Sequence, residues 1–152
     1  MVQSSFCKTQ GLNMQIRAYQ DTDRAAVIAL WQVCELTRPW NNPGLDIERK
    51  LAVNREWFLV GLKQGQLVAS AMFGYEGHRG WVNYLAVHPD QQRHGFARAM
   101  MDHGEQLLLS VGCPKINLQV RNTNAQALAF YARLGYGNDE AISLGKRLIP
   151  DM

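Results

Sequence analysis

Long apolar runs are missing: no stretch of the 152 residues reaches the roughly 20 consecutive apolar positions of a membrane-spanning helix, so no membrane partner is expected. Cysteine is scarce and scattered. Cys7, Cys34 and Cys113 are odd in number, make no Cys-x-x-Cys pair and have no histidine-rich neighbour at metal-ligand spacing. This points to reduced thiols in a cytoplasmic compartment and to no bound metal. A dominant charge of one sign is missing too, since 16 Lys and Arg face 13 Asp and Glu for a net charge of +3. That mild excess suits an anionic small molecule as readily as RNA or DNA. The positive residues are spread along the chain without a recognised binding motif, so nucleic acid is not an expected partner. What remains, 47% apolar and 19% charged residues, is the composition of one globular domain with its own core.

Residues 1–13 are polar and lack the apolar segment of a secretory signal, so they read as a disordered or incidental leader to a single domain over 14–152. Met14 opens a strand-like run that ends near Tyr19. Asp21 is placed to cap a helix whose Val27, Leu30, Trp31 and Cys34 share one face. Pro39 and Pro43 break that helix before a second, short one, expected to be capped by Asp46 and to run to about Arg55. From Trp57 the period shortens. Residues 58–62 and 67–73 flank a turn at Gln64-Gly65-Gln66, and residues 81–87 follow a glycine-bounded turn over 74–80, predicting an antiparallel meander.

Ala97, Met100, Met101, Gly104, Leu107, Leu108 and Val111 recur at three- and four-residue intervals, predicting a long amphipathic helix ended by Gly112. This helix separates strand 81–87 from the next, 116–120, so the two are expected to run parallel through a right-handed crossover. Asn124 is placed to cap a helix to Leu134, stopped at Gly135, and a last strand is expected around 142–148. The sum is an α/β (α+β) fold: a mixed, mostly antiparallel sheet flanked by helices.

The informative segment is His88-Pro89-Asp90-Gln91-Gln92-Arg93-His94-Gly95-Phe96-Ala97. Where a strand gives way to a helix N-terminus, unpaired amides and the positive end of the helix dipole converge, and an anion is favoured there. Gly95 lets the backbone approach a phosphate, Ala97 is small, and Arg93, His94 and Arg98 add charge nearby. The loop has neither a Gly-Lys-Ser/Thr ending nor three spaced glycines, which disfavours a nucleotide-cleaving P-loop and a dinucleotide fingerprint alike. Alone, the segment also reads as an ordinary helix start with a solvated basic face.

Its context adds more. Strand, Gln92-x-x-Gly95-x-Ala97, long helix, strand, Asn124 and then Phe130-Tyr131-Ala132-Arg133-Leu134-Gly135-Tyr136 resembles the GNAT (Gcn5-related N-acetyltransferase) superfamily. Leu36-Thr37-Arg38-Pro39-Trp40-Asn41-Asn42-Pro43, Asp46-Ile47-Glu48-Arg49-Lys50, the turn from Gly74 to Gly80 and Ser143-Leu144-Gly145-Lys146-Arg147-Leu148 are similar to the YpeA-type bacterial acetyltransferases. The resemblance implies a GNAT fold whose two central parallel strands splay into a cleft for acetyl-CoA, the cosubstrate. It implies that the loop of Gln92, Arg93, His94, Gly95, Phe96, Ala97 and Arg98 holds the CoA pyrophosphate through main-chain amides. Leu85, Ala86 and Val87 would pair with the pantetheine arm through their backbone, and Asn124 would contact that arm. His94 departs from the pattern, standing where many relatives carry Arg or Gly. Dimers are frequent among such enzymes, and the residues do not decide whether this chain forms a homodimer.

The activity implied is transfer of acetyl to a primary amine, of a small molecule or of a peptide or protein, by direct attack in a ternary complex. Tyr131 matches the family tyrosine placed to protonate the departing thiolate; an ordinary phenol is protonated at neutral pH. A core aromatic is the lesser reading of Tyr131, while Asn124 reads equally as a plain helix cap. Such enzymes often carry a base glutamate on the strand, where this chain has Asn83 and Tyr84, so Glu76 and His78 in the preceding turn become the base candidates. Both also read as a solvated hairpin tip. Arg38, Trp40 and Asn41, between the first two helices, are candidates to line the acceptor side, Trp40 as a flat apolar surface and Arg38 as a carboxylate partner. The missing strand carboxylate keeps a non-catalytic acyl-CoA-binding sensor as the alternative.

Overall fold

The computed structural model describes residues 13–151, so the expected leader, Asn13 apart, lies outside the described residues. Five strands form one sheet in chain order: β1 (Gln15–Ala18), β2 (Phe58–Lys63), β3 (Gln66–Tyr75), β4 (Gly80–Val87) and β5 (Ile116–Asn117). Neighbours are antiparallel as far as β4. β4 and β5 are parallel, Gly80 opposite Ile116 and Trp81 opposite Asn117. Four helices complete the fold: α1 (Arg24–Val33), α2 (Pro43–Leu51), α3 (Phe96–Ser110), which makes the β4 to β5 crossover, and α4 (Ala125–Arg133).

Alternation of side chains along the strands divides the core in two. On one face Val27, Leu30 and Trp31 of α1 and Ile47 of α2 pack on Phe58, Val60, Met72 and Ala86. On the other, Phe96, Ala99, Met100, Met101 and Leu108 of α3 pack on Leu59, Ala69, Ala71, Phe73 and Val82. Gly104 belongs to this second contact for a steric reason: a Cβ there would overlap the Phe73 ring, so only glycine lets α3 lie this close to β3.

Several boundaries differ from expectation. Asp21 opens a short 3-10 turn to Asp23, and α1 starts only at Arg24, because Asp23 is drawn into a two-pronged pair with Arg17 at 2.7 and 3.0 Å. α2 begins at Pro43, not Asp46: the Asn42 side chain accepts the Leu45 amide at 3.2 Å, and proline at the first helical position has no donor to waste. β3 continues through Gly74 to Tyr75. Strand 116–120 is paired only at Ile116 and Asn117.

The expected last strand over 142–148 does not form among the described residues. Its apolar members Ile142, Leu144 and Leu148 are 87, 90 and 83% exposed, since alternation makes a strand only where a partner edge is offered. Polar ties hold the segment instead. Lys115 pairs with Asp139 at 2.9 Å, and Asp151 accepts the Asn42 amide at 2.8 Å and pairs with Arg49 at 2.8 Å. Among the described residues no helix is long and apolar enough to cross a membrane.

Candidate active site

β4 changes phase halfway along its length. At the hairpin end the Gly80 amide donates to Lys115 of the β5 side at 2.8 Å, so by alternation Trp81 and Asn83 give their backbone to β3. A regular strand would then give Leu85 and Val87 to β3 as well. Beyond the bulge it is His88 that donates to Val68, at 2.8 Å, which makes Ala86 and His88 the β3-facing residues. The bulge lies at Tyr84, whose φ of +53° is left-handed. It turns the backbone groups of Leu85 and Val87 away from β3, onto the side where β5 has already parted from β4.

Buried groups hold that bulge. Ser70, fully buried, donates through Oγ to the Tyr84 carbonyl at 2.8 Å and accepts the Trp31 indole N–H at 2.9 Å. The Trp31 and Tyr84 rings stack with centroids 3.8 Å apart and planes 13° apart. The Tyr84 hydroxyl donates to Asp46 Oδ2 of α2 at 2.6 Å, and burial is the main reason its pKa lies well above that of an ordinary phenol. Sequence periodicity cannot find this chain of contacts, because its members are 14 to 39 residues apart.

The loop after β4 turns sharply into α3, with Arg93 and Gly95 both left-handed at φ +66° and +80°. Among the described residues no side chain caps the α3 N-terminus, and the first backbone bond of the helix runs from the Ala99 N–H to the Gly95 carbonyl. Among the described residues the amides of Arg93, His94, Gly95, Phe96, Ala97 and Arg98 therefore have no partner in the protein. Gln92, Arg93, His94 and Arg98 are exposed, while Phe96 anchors the helix start in the core at 3% exposure. The Gln92 amide folds back to donate to the Val87 carbonyl at 3.2 Å, an oxygen that also accepts the Cys34 thiol at 3.3 Å. Lys63, which sequence reading passed over, brings a further cation, with Nζ 5.9 Å from the Phe96 ring centroid.

On the α3 side of the sheet a cavity of 1090 Å³ runs beside β5, lined among others by Trp81, Asn117, Leu118, Tyr131 and Tyr136. It does not reach the 92–98 loop. Burial raises the Tyr131 phenol to about 12, so it is protonated throughout the physiological range. Its ring packs edge-on against Phe130 and Tyr136, at 5.0 and 5.6 Å. Tyr136 donates its hydroxyl to Glu105 at 2.8 Å, whereas the Tyr131 hydroxyl has no hydrogen-bond partner among the described residues. Asn117, also unforeseen, carries a buried Oδ1 without a partner among the described residues, at the last paired position of β5. The amide side chain in a short strand was its only signal.

The other candidates stand apart. Glu76 accepts the amides of His78 and Arg79, the first at 3.2 Å, and closes the hairpin tip. Gly80 to Val87 spans roughly 23 Å at about 3.3 Å per residue, so Glu76 and His78 are a strand's length from the loop. Asn124 accepts the Ala127 amide at 3.0 Å as a helix cap. Trp40 is 54% exposed, Arg38 is exposed, and Asn41 accepts from Arg147 at 2.6 Å, so these three form an outer rim before α2.

A mixed sheet split at its one parallel pair, with an uncapped helix at the mouth of the split, defines an α/β domain with a backbone-lined cleft. The comparisons agree with it. The model of the acetyltransferase (GNAT) family matches residues 20–136. An acetyltransferase of Yersinia enterocolitica is 49% identical over 138 residues, 91% of this chain and 98% of that one. One from Pectobacterium atrosepticum is 48% identical over the same shares. Among solved structures, the ribosomal-protein-S18-alanine N-acetyltransferase of Escherichia coli aligns with a TM-score of 0.67 at 25% identity, covering 80% of this chain and 76% of that one. Ard1 of Thermoplasma volcanium shares the fold, with a TM-score of 0.71 at 24% identity and 82% of each chain covered. The chain belongs to the GNAT acetyltransferase family and is an acyltransferase.

Proposed function

We propose that the protein transfers acetyl from acetyl-CoA to a primary amine, of a small molecule or of a peptide or protein, by direct attack in a ternary complex. The observation that carries the reading is the backbone of Leu85 and the amide of Val87, turned off β3 by the bulge, together with the partnerless amides over 93–98. These groups fit the cosubstrate the family implies: the edge of β4 holds an amide-bearing arm as another strand would, and the helix start holds a diphosphate. Acetyl-CoA supplies the acetyl thioester when bound. The first free amide after the bulge polarises the thioester carbonyl of the donor without side-chain help. Tyr131, protonated and free of an internal partner, supplies the proton for the leaving sulfur. Arg38, Trp40 and Asn41 border the approach of the acceptor. An E. coli fold relative named for acting on the alanine of a ribosomal protein supports an amino-group acceptor.

The sensor reading draws on one observation, that β4 itself carries no carboxylate. Acetyl-CoA should raise the melting temperature under both readings, because a ligand that binds only the native state stabilises it. CoA release on a panel of amines and N-terminal peptides then separates them; absence of release across the panel overturns the enzyme reading. Tyr131→Phe is expected to lower turnover by about 10- to 1000-fold while leaving the acetyl-CoA melting shift within error. Unchanged turnover would remove Tyr131 from the acid role.

A further inference from the structure

We propose that Asp46 is the counter-ion that captures the acceptor as its ammonium, which then gives up one N–H proton to solvent so that the neutral nitrogen can attack, making the protein selective for amines that are cationic in solution; this rests on the amine-acetyltransferase reading above. β4 carries no carboxylate, but α2 brings Asp46 against the Tyr84 side chain of that strand. The Tyr84 ring, fixed by its stack on Trp31, lies on the α1–α2 face of the sheet and carries its hydroxyl to Asp46 Oδ2 at 2.6 Å. The residue after Tyr84 is Leu85, the first to turn its backbone to the open side. The carboxylate is thereby tied, through the length of one tyrosine side chain, to the bulge that precedes Leu85. Tyr131 stands with α3, α4 and β5 on the opposite face. An amine approaching on the Asp46 side and a sulfur leaving on the Tyr131 side do not compete for one space.

The surroundings leave this carboxylate usable. Its side chain is 23% exposed, so one edge is open to a small cation. Arg49 reaches Asp46 Oδ1 at 3.2 Å, but the other arm of its guanidinium is taken at 2.8 Å by Asp151, which is 1% exposed and also holds Arg147 at 3.3 Å. Arg49 is thus shared between two acids and meets Asp46 through one arm only. Lys50, one turn further along α2, is turned into the sheet, where it donates to the Phe73 carbonyl and burial lowers its pKa. It is not aimed at Asp46. Hydrogen bonding from Tyr84 fixes one oxygen and leaves the carboxylate oriented before the acceptor arrives.

The test is Asp46→Asn, which keeps the shape and can still accept the Tyr84 hydrogen bond. Initial rates are measured with an alkylamine and a peptide amine, both cationic at neutral pH, and with methoxyamine, which is uncharged there. Loss of a charge-assisted contact is expected to raise KM for the cationic acceptors by about 10- to 100-fold, to change methoxyamine kinetics less than about 2-fold, and so to erase the preference for cations. Equal losses for both classes, or no loss, overturn the proposal, because a merely structural tether does not distinguish acceptor charge. An unchanged acetyl-CoA melting shift in the variant certifies the fold. Should Asp46→Asn fail to fold, Tyr84→Phe, which leaves the carboxylate but frees it to rotate, is expected to show the same selective loss at a smaller size. A wild type stabilised by acetyl-CoA that acetylates no amine overturns both readings, whereas an active wild type with unselective variants overturns only this one.

Discussion

Ser70 is the smallest change with the widest expected effect. Its hydroxyl is fully buried and works in both directions, accepting from Trp31 at 2.9 Å and donating to Tyr84 at 2.8 Å. Ser70→Ala removes one oxygen and leaves an indole N–H and a carbonyl without partners and away from water. Each orphaned group costs about 1–3 kcal/mol, so the variant is expected to lose about 3 kcal/mol of unfolding free energy. For a domain of this size, that lowers Tm by about 6–12 °C. Urea unfolding followed by tryptophan fluorescence reads the first quantity, and Trp31, in the core beside the lesion, is a direct reporter. The bulge also loses its tether, so the melting shift produced by acetyl-CoA should shrink. Ser110→Ala is the control, because that hydroxyl is exposed and bonds only its own helix; it should stay within about 0.5 kcal/mol. A Ser70→Ala loss no larger than the Ser110→Ala loss, with an undiminished acetyl-CoA shift, would refute the assignment of the bulge to this clamp.

Gly104→Ala should destabilise by about 1–3 kcal/mol, since the added methyl overlaps the buried Phe73 ring and α3 must move off β3; chemical denaturation measures it. Asp23 contributes to the acid limb of stability. Its carboxyl is held below the ordinary value, first by the Arg17 hydrogen bond, against some opposing desolvation. The folded state therefore binds its proton less readily than the unfolded chain, and this stability is fully present above an unfolded carboxyl pKa of about 3.9 and lost as pH falls through the lower folded value. Asp23→Asn should flatten the stability profile in that window and leave its slope above about pH 5 unchanged, as read from urea midpoints across pH.

Local patterns carried most of the architecture. The period of two over residues 58–62, 67–73 and 81–87 and the helical spacing from Ala97 to Val111 are properties of neighbouring residues, and the structure places β2, β3, β4 and α3 there. The loop from Gln92 to Arg98 was legible for the same reason: strand, glycine and helix start follow one another in the chain. The bulge, Asp46 beside Tyr84, and the orphaned Asn117 were not legible, because each depends on groups brought together from different elements. Residues 142–148 show the converse, a strand-like alternation left without an edge to pair with.

The amino-acid order by itself determined most of the strands and helices and where an uncapped helix start falls, since those follow from contacts a few residues apart. Only the tertiary structure decided which way β4 turns its amides and which carboxylate meets Tyr84. A buried serine and a stacked tryptophan set that phase, and they act through space on a strand whose own sequence is indifferent to it.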